Sequence, residues 1–126
     1  MAPGKLEVCQ GSCVSRERLE RAEAHLQGRD PEAMAELFKL LSSPARLRIL
    51  MGLEAGELCV CELAALVGLS MPATSQHLKQ LRQMGLVTLT NQGKMAFYSL
   101  GPGVSVVELE ALCARILRAS LEEAGP

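Results

Sequence analysis

Two cysteines one residue apart, Cys59 and Cys61 in the run ELCVCEL, are the residues of this chain best suited to chemistry. Their deprotonated sulfurs are soft ligands that select ions such as Zn(II), Cd(II), Pb(II), As(III) and Cu(I). A disulfide between them is disfavoured, because bridge geometry rarely fits such close neighbours. On a regular helix the two side chains diverge by roughly 200°. At a helix start the backbone is freer and the helix dipole favours thiolate. Two thiolates alone are an incomplete site. A second pair, Cys9 and Cys13, stands in the N-terminal segment, within an arm able to fold over and meet the first. Two pairs make a tetrahedral S4 site, whereas any three sulfurs make a trigonal site suited to As(III) or Pb(II). Spacing leaves open whether the arm reaches the cysteines of its own chain or those of a second copy. The fifth cysteine, Cys113, lies on an apolar helical stripe and reads as a packed core residue.

The elements that must position these thiols follow from length and periodicity. A chain of 126 residues with 48% hydrophobic residues is one domain's worth and is not disordered throughout. No apolar run reaches the roughly 18 residues of a membrane span, and the N-terminus lacks an apolar signal core, so a cytoplasmic location is expected. In a reducing compartment cysteine pairs read as metal-binding or redox groups rather than a disulfide framework. Residues 1–14 read as a flexible cysteine-bearing arm, and residues 15–126 as the folded domain with flanking helices for dimerisation.

Helix starts are written plainly: Asp30-Pro31 and Ser43-Pro44 each place a capping side chain before a proline. The stripe of Met34, Leu37, Phe38 and Leu41 follows the first of them, and Leu47, Ile49, Leu50 and Leu53 follow the second. CVCELAALV, then Gly68-Leu69-Ser70, then MPATSQHLKQLRQM is a helix, a tight turn and a second helix. Ala64, Leu66, Leu69, Leu78 and Leu81 are the expected packing between them. After Gly85 the pattern turns to alternation: LVTLT and MAFYSL flank Asn91-Gln92-Gly93-Lys94 as a hairpin. A last helix spans about 105–121, with Val106, Leu109, Leu112, Ile116 and Leu117 on one stripe. The expected class is mainly α with a small β-hairpin (α+β): a dimeric winged helix-turn-helix.

A hairpin directly behind a helix-turn-helix points to double-stranded DNA. Thr74, Ser75, Gln76, His77, Lys79 and Arg82 are the candidate outward residues of the second helix. Gln, Ser and Thr pair with base edges, and Lys79 and Arg82 neutralise phosphates. Lys94 at the hairpin tip reaches a phosphate or the minor groove, and Arg46 and Arg48 are further candidate sources of positive charge. Net charge is only −1, so the cations must gather on one face. Three aromatics, Phe38, Phe97 and Tyr98, are too few for a single-strand binder built on base stacking. One winged unit contacts few base pairs, and the apolar stripes of the flanking helices exceed what one small core needs, so a homodimer is expected.

The run ELCVCELAALVGLSMPATSQHLKQLRQMGLV followed by NQGKMAFYSL resembles the ArsR/SmtB family of metal-responsive repressors, over roughly residues 30–120. ELCVCEL is similar to that family's thiolate metal box, and SSPARLRIL to the segment before it. With Cys9 and Cys13 the chain is most similar to the cadmium- and lead-sensing, CadC-like branch. That resemblance implies an arm from one subunit completing the other's site, and metal releasing the operator of a detoxification gene. One departure is clear. Where the zinc-sensing branch carries ligands on its last helix, this chain has Pro102, Val104, Arg115 and Arg118, none a normal metal ligand.

Two other functions stay open on the sequence. The thiols could serve a redox-responsive repressor, releasing DNA on disulfide or persulfide formation, or a small thiolate metal buffer with no DNA role. No Ser/His/Asp or Cys/His arrangement, phosphate-binding glycine loop or paired carboxylates point to an enzyme or to a small organic substrate.

Overall fold

Serine and aspartate caps set the helix starts in this computed structural model, which describes residues 13–124. Ser15 accepts a hydrogen bond from the Arg18 N–H at 3.3 Å and opens α1, Arg16–His25. This helix buries no residue. Asp30 accepts from the Ala33 N–H at 3.0 Å before α2, Pro31–Leu41. Ser43 accepts from the Arg46 N–H at 3.3 Å before α3, Pro44–Leu53, with proline in the first turn where its missing N–H costs nothing. The contacts divide the chain into two compact units that meet inside α2, residues 1–36 and 37–126.

The second unit continues with a two-residue strand β1, Leu58–Cys59, then α4, Val60–Val67, and α5, Met71–Gln83. Between α4 and α5 the chain turns at Gly68, whose φ of +69° is a left-handed position that a β-carbon would strain. Gly68 and Leu69 both donate to the Ala64 carbonyl, at 2.9 and 3.1 Å, closing α4. Ser70 accepts from the Ala73 N–H at 3.2 Å and starts α5. The hairpin is β2, Val87–Gln92, and β3, Met95–Leu100, joined through Gly93-Lys94; α6, Val106–Ala124, ends the fold.

β3 lies at the centre of a three-stranded antiparallel sheet, order β1-β3-β2. Leu58 and Cys59 pair with Tyr98 and Phe97 on one side of it, and Val87 with Leu100 on the other. β1 is an addition to the expected hairpin; two residues are too few to show alternation. The core is Leu40, Ile49, Leu50, Leu53, Leu63, Leu78, Leu81, Val87 and Val106. Each such side chain contributes about 1.5–3 kcal/mol by leaving water, and together they clamp α3, α4, α5 and β2 into one unit.

Three expectations are corrected by burial. Leu66 and Leu69, expected to pack α4 against α5, are exposed at 49% and 38%. Their place is taken by Leu63 and Thr74, both fully buried. Cys113, expected in the core, is exposed within the chain. It lines a groove of about 590 Å³ with Phe38, Leu41, Met51, Leu112 and Ile116. Beyond Val106, the α6 stripe is therefore largely uncovered by the described residues, Leu117 reaching 63% exposure.

Candidate DNA interface and thiol site

Helix α5 presents Ser75, Gln76, Lys79, Arg82 and Gln83 to solvent. Lys94 stands exposed at the hairpin tip. Lys79, Arg82, Ser75 and Gln83 share with Tyr98 of β3 a cleft of about 380 Å³ between helix and sheet. Two cations, an amide and two hydroxyls facing one cleft suit an anionic oxygen group such as a phosphate. Gln83 and Tyr98 of this cleft are not among the outward residues expected from the sequence. The signal for Tyr98 was its place in MAFYSL, where alternation puts it with Leu100 on the inward face while its length carries the phenol out beside α5.

Two of the expected reading residues point elsewhere. Thr74 is 0% exposed, and its hydroxyl donates to the Ser70 carbonyl at 2.8 Å. It is a core residue whose one donor is satisfied within the helix, so it does not reach a base. His77 is half-buried and faces α3, where its Nδ1 accepts from Arg46 Nε at 3.0 Å. The same guanidinium donates through Nη1 to the Leu40 carbonyl at 3.0 Å and through Nη2 to Gln80 Oε1. Burial first, and the Arg46 charge second, hold the His77 pKa below its ordinary value.

The thiols divide by element. Cys59 occupies the N-cap of α4 in extended conformation and is 8% exposed, while Cys61 in the first turn is exposed. The Glu62 carboxylate accepts from the Cys59 N–H at 3.0 Å. That bond, with a second from the Cys59 thiol, holds the Glu62 carboxyl below its ordinary pKa. Cys59 is both the last residue of β1 and the N-cap of α4, so its backbone is held both by the helix-turn-helix and by the strand β3. Glu57, just before β1, ties further into the wing, accepting from Gln92 Nε2 at 3.0 Å and from Ser99 Oγ at 3.5 Å.

Cys13 belongs to the first unit and is disulfide-bonded; Cys9 lies outside the described residues. Among the described residues no three Cys, His, Asp or Glu side chains converge as a metal-binding group. The donors present are thus half a site, of the soft type that thiophilic ions take. On the last helix Arg115 and Arg118 are exposed and offer no ligand.

Comparison with known proteins defines the class. Residues 43–88 match the model of the family described as bacterial regulatory protein, arsR family. The cadmium resistance transcriptional regulatory protein CadC of Listeria innocua is 34% identical over 93 residues, covering 73% of this chain and 78% of CadC. The arsenical resistance operon repressor of Escherichia coli is 44% identical over 70 residues, 55% of this chain and 60% of the repressor. Among solved structures, the homodimeric winged helix-turn-helix DNA-binding domain Mb0332 of Mycobacterium bovis superposes with a TM-score of 0.59 at 26% identity. That match spans 89% of this chain and 94% of the other. The fold is a winged helix-turn-helix, and the protein is a transcriptional regulator rather than an enzyme. The chain belongs to the ArsR family of bacterial regulatory proteins. No helix among the described residues is long and apolar enough to cross a membrane.

Proposed function

We propose that this chain is a homodimeric repressor of a double-stranded operator, released when a thiophilic ion is taken up by cysteine thiolates. Ser75, Gln76, Lys79, Arg82 and Lys94 are its DNA-facing residues, joined by Gln83 and Tyr98. Cys59 and Cys61, completed by Cys9 and by Cys13 once its disulfide is reduced, would hold the ion. Cd(II), Pb(II) and As(III) fit this donor set best, with Zn(II) as a further inducer. When bound, the ion supplies a tether between thiolates, worth on the order of 10 kcal/mol against the few needed to shift a two-state balance. The names of the relatives, a cadmium resistance transcriptional regulatory protein and an arsenical resistance operon repressor, support this reading. The homodimeric neighbour supports the assembly, and the apolar groove along α6 is where a second copy would seat.

The observation that carries the reading is the double attachment of Cys59. Its sulfur is covered while that of Cys61 is open. An ion held by both sulfurs would need Cys59 to leave its cover at the start of α4. The same backbone pairs with β3, whose Tyr98 lines the cationic cleft with Lys79 and Arg82. A pull at Cys59 is thereby felt by the wing and by the reading helix together. The test is a gel shift on duplex from the region upstream of the chain's own coding sequence, titrated with Cd(II), Pb(II), As(III) and Zn(II). Retention of the complex at every metal concentration would refute the proposal.

One observation favours a second reading, in which thiol oxidation controls the switch: Cys13 is disulfide-bonded. Oxidants would then weaken the DNA complex in the absence of metal. The cationic cleft carries its own prediction in either case. Lys79→Ala and Arg82→Ala should each weaken duplex binding similarly on all sequences. Each should also lower the slope of log affinity against log salt by about one, since each removes one phosphate contact. An unchanged slope would remove that residue from the interface.

A further inference from the structure

Arg46 joins three helices through a single guanidinium. It bonds the Leu40 carbonyl at the end of α2, one of the last-turn carbonyls that a helix leaves without a partner. It also bonds His77 and Gln80, one turn apart on the inner side of α5. The Nε–H donates to His77 Nδ1, so that nitrogen carries a lone pair and the imidazole is neutral, with its proton on Nε2. We infer that Arg46, His77 and Gln80 form a latch that seats the reading helix on α3, and that Arg46 acts on DNA binding by positioning that helix rather than by touching phosphate. This inference rests on α5 being the DNA reader.

The latch has a pH dependence of definite sign. Arg46 of α3 is the charge that acts on the imidazole; among the described residues no charged group of α2 or α4 does so. Protonation of Nδ1 removes the acceptor and sets a cation against the guanidinium. The folded-state pKa of His77 lies below that of the unfolded chain, so the latch's contribution is complete above about pH 6.5 and is lost as pH falls through the lower folded value. A histidine that faced phosphate would behave oppositely, because its protonation adds a cation and strengthens the complex.

The experiment measures operator-duplex affinity of the full chain by fluorescence anisotropy from pH 7.5 to 5.5, at fixed salt and without metal. Wild type should weaken across that range, by less than the roughly tenfold that a single group titrating at its ordinary value would give. His77→Asn keeps an acceptor oxygen near the Nδ1 position and does not titrate there. It should bind within about threefold of wild type at pH 7.5 and show a flat profile. Arg46→Lys keeps the charge but offers no planar fork. It should lose about tenfold at pH 7.5 with an unchanged salt slope. Tighter wild-type binding on acidification overturns the latch, as does wild-type affinity in Arg46→Lys combined with a salt slope lowered by about one in Arg46→Gln. If Arg46→Lys proves unfolded by circular dichroism, the wild-type and His77→Asn profiles decide alone. If no duplex is bound at any pH, it is the DNA reading that fails. The latch is then judged by thermal midpoints, which should fall on acidification in wild type and not in His77→Asn.

Discussion

Replacing Cys59 by serine should leave operator affinity within about threefold of the parent while raising the metal concentration needed for release on the order of a hundredfold. The expectation combines geometry and chemistry. Serine is nearly the size of cysteine and is a favoured N-cap, so the start of α4 and its pairing with β3 are preserved. The hydroxyl finds the Glu62 carboxylate that already faces position 59. What disappears is a soft ligand: one of four thiolates sharing roughly 10 kcal/mol is worth about 2.5 kcal/mol. Cys61→Ser should behave in the same way, because its sulfur is exposed and packs nothing that the fold needs. Unaltered release of both variants in a Cd(II) or Pb(II) gel-shift titration would show that these thiols are not the sensor. Loss of DNA binding without metal would show instead that they are structural.

The largest effect on stability is expected at Gly101. This residue is buried where the end of β3 crosses the junction of α5 and β2, and its N–H donates to the Leu86 carbonyl at 2.9 Å. A β-carbon there overlaps the Gly85 carbonyl oxygen and stands 3.0 Å from the carbonyl carbon. The obstacle is backbone on both sides, so no side chain can swing aside. Gly101→Ala should cost about 3 kcal/mol or more and lower the thermal midpoint by about 10 °C or more. Gly52→Ala is the internal comparison. Its β-carbon overlaps only the Cδ2 end of the Leu66 side chain, which is half-exposed and free to turn, and meets Leu58 Cδ1 at an ordinary 3.9 Å, so the cost should stay within about 1 kcal/mol. Equal melting of the two variants would show that the close approach at Gly101 relaxes.

What was legible in the sequence was local. Ser43-Pro44, Asp30-Pro31 and Ser70 announce helix starts because cap chemistry acts over three residues, and Gly68 announces the turn because only its own φ is involved. The hairpin was legible because alternation persists for six residues on each side. What was illegible depends on partners distant in the chain. Nothing near His77 says that it will face Arg46, 31 positions away. Thr74 looks like a base reader until its hydroxyl is seen satisfied by Ser70 and its methyl side enclosed. β1 is invisible as a pattern, yet it joins the thiol segment to the wing. Tyr98 was hidden by its own hydrophobicity, since a tyrosine in a strand is ordinarily read as packing.

The uncovered groove along α6 also bears on how much protein a cell, or an experimenter, must supply. If a second copy fills it, folding and assembly draw on one free energy, and apparent stability rises with concentration rather than being fixed by the chain. Each tenfold dilution would then remove up to about 1.4 kcal/mol from the assembled state. Operator occupancy would depend on the square of the subunit concentration below the assembly threshold, so that a modest fall in repressor copy number lifts repression steeply.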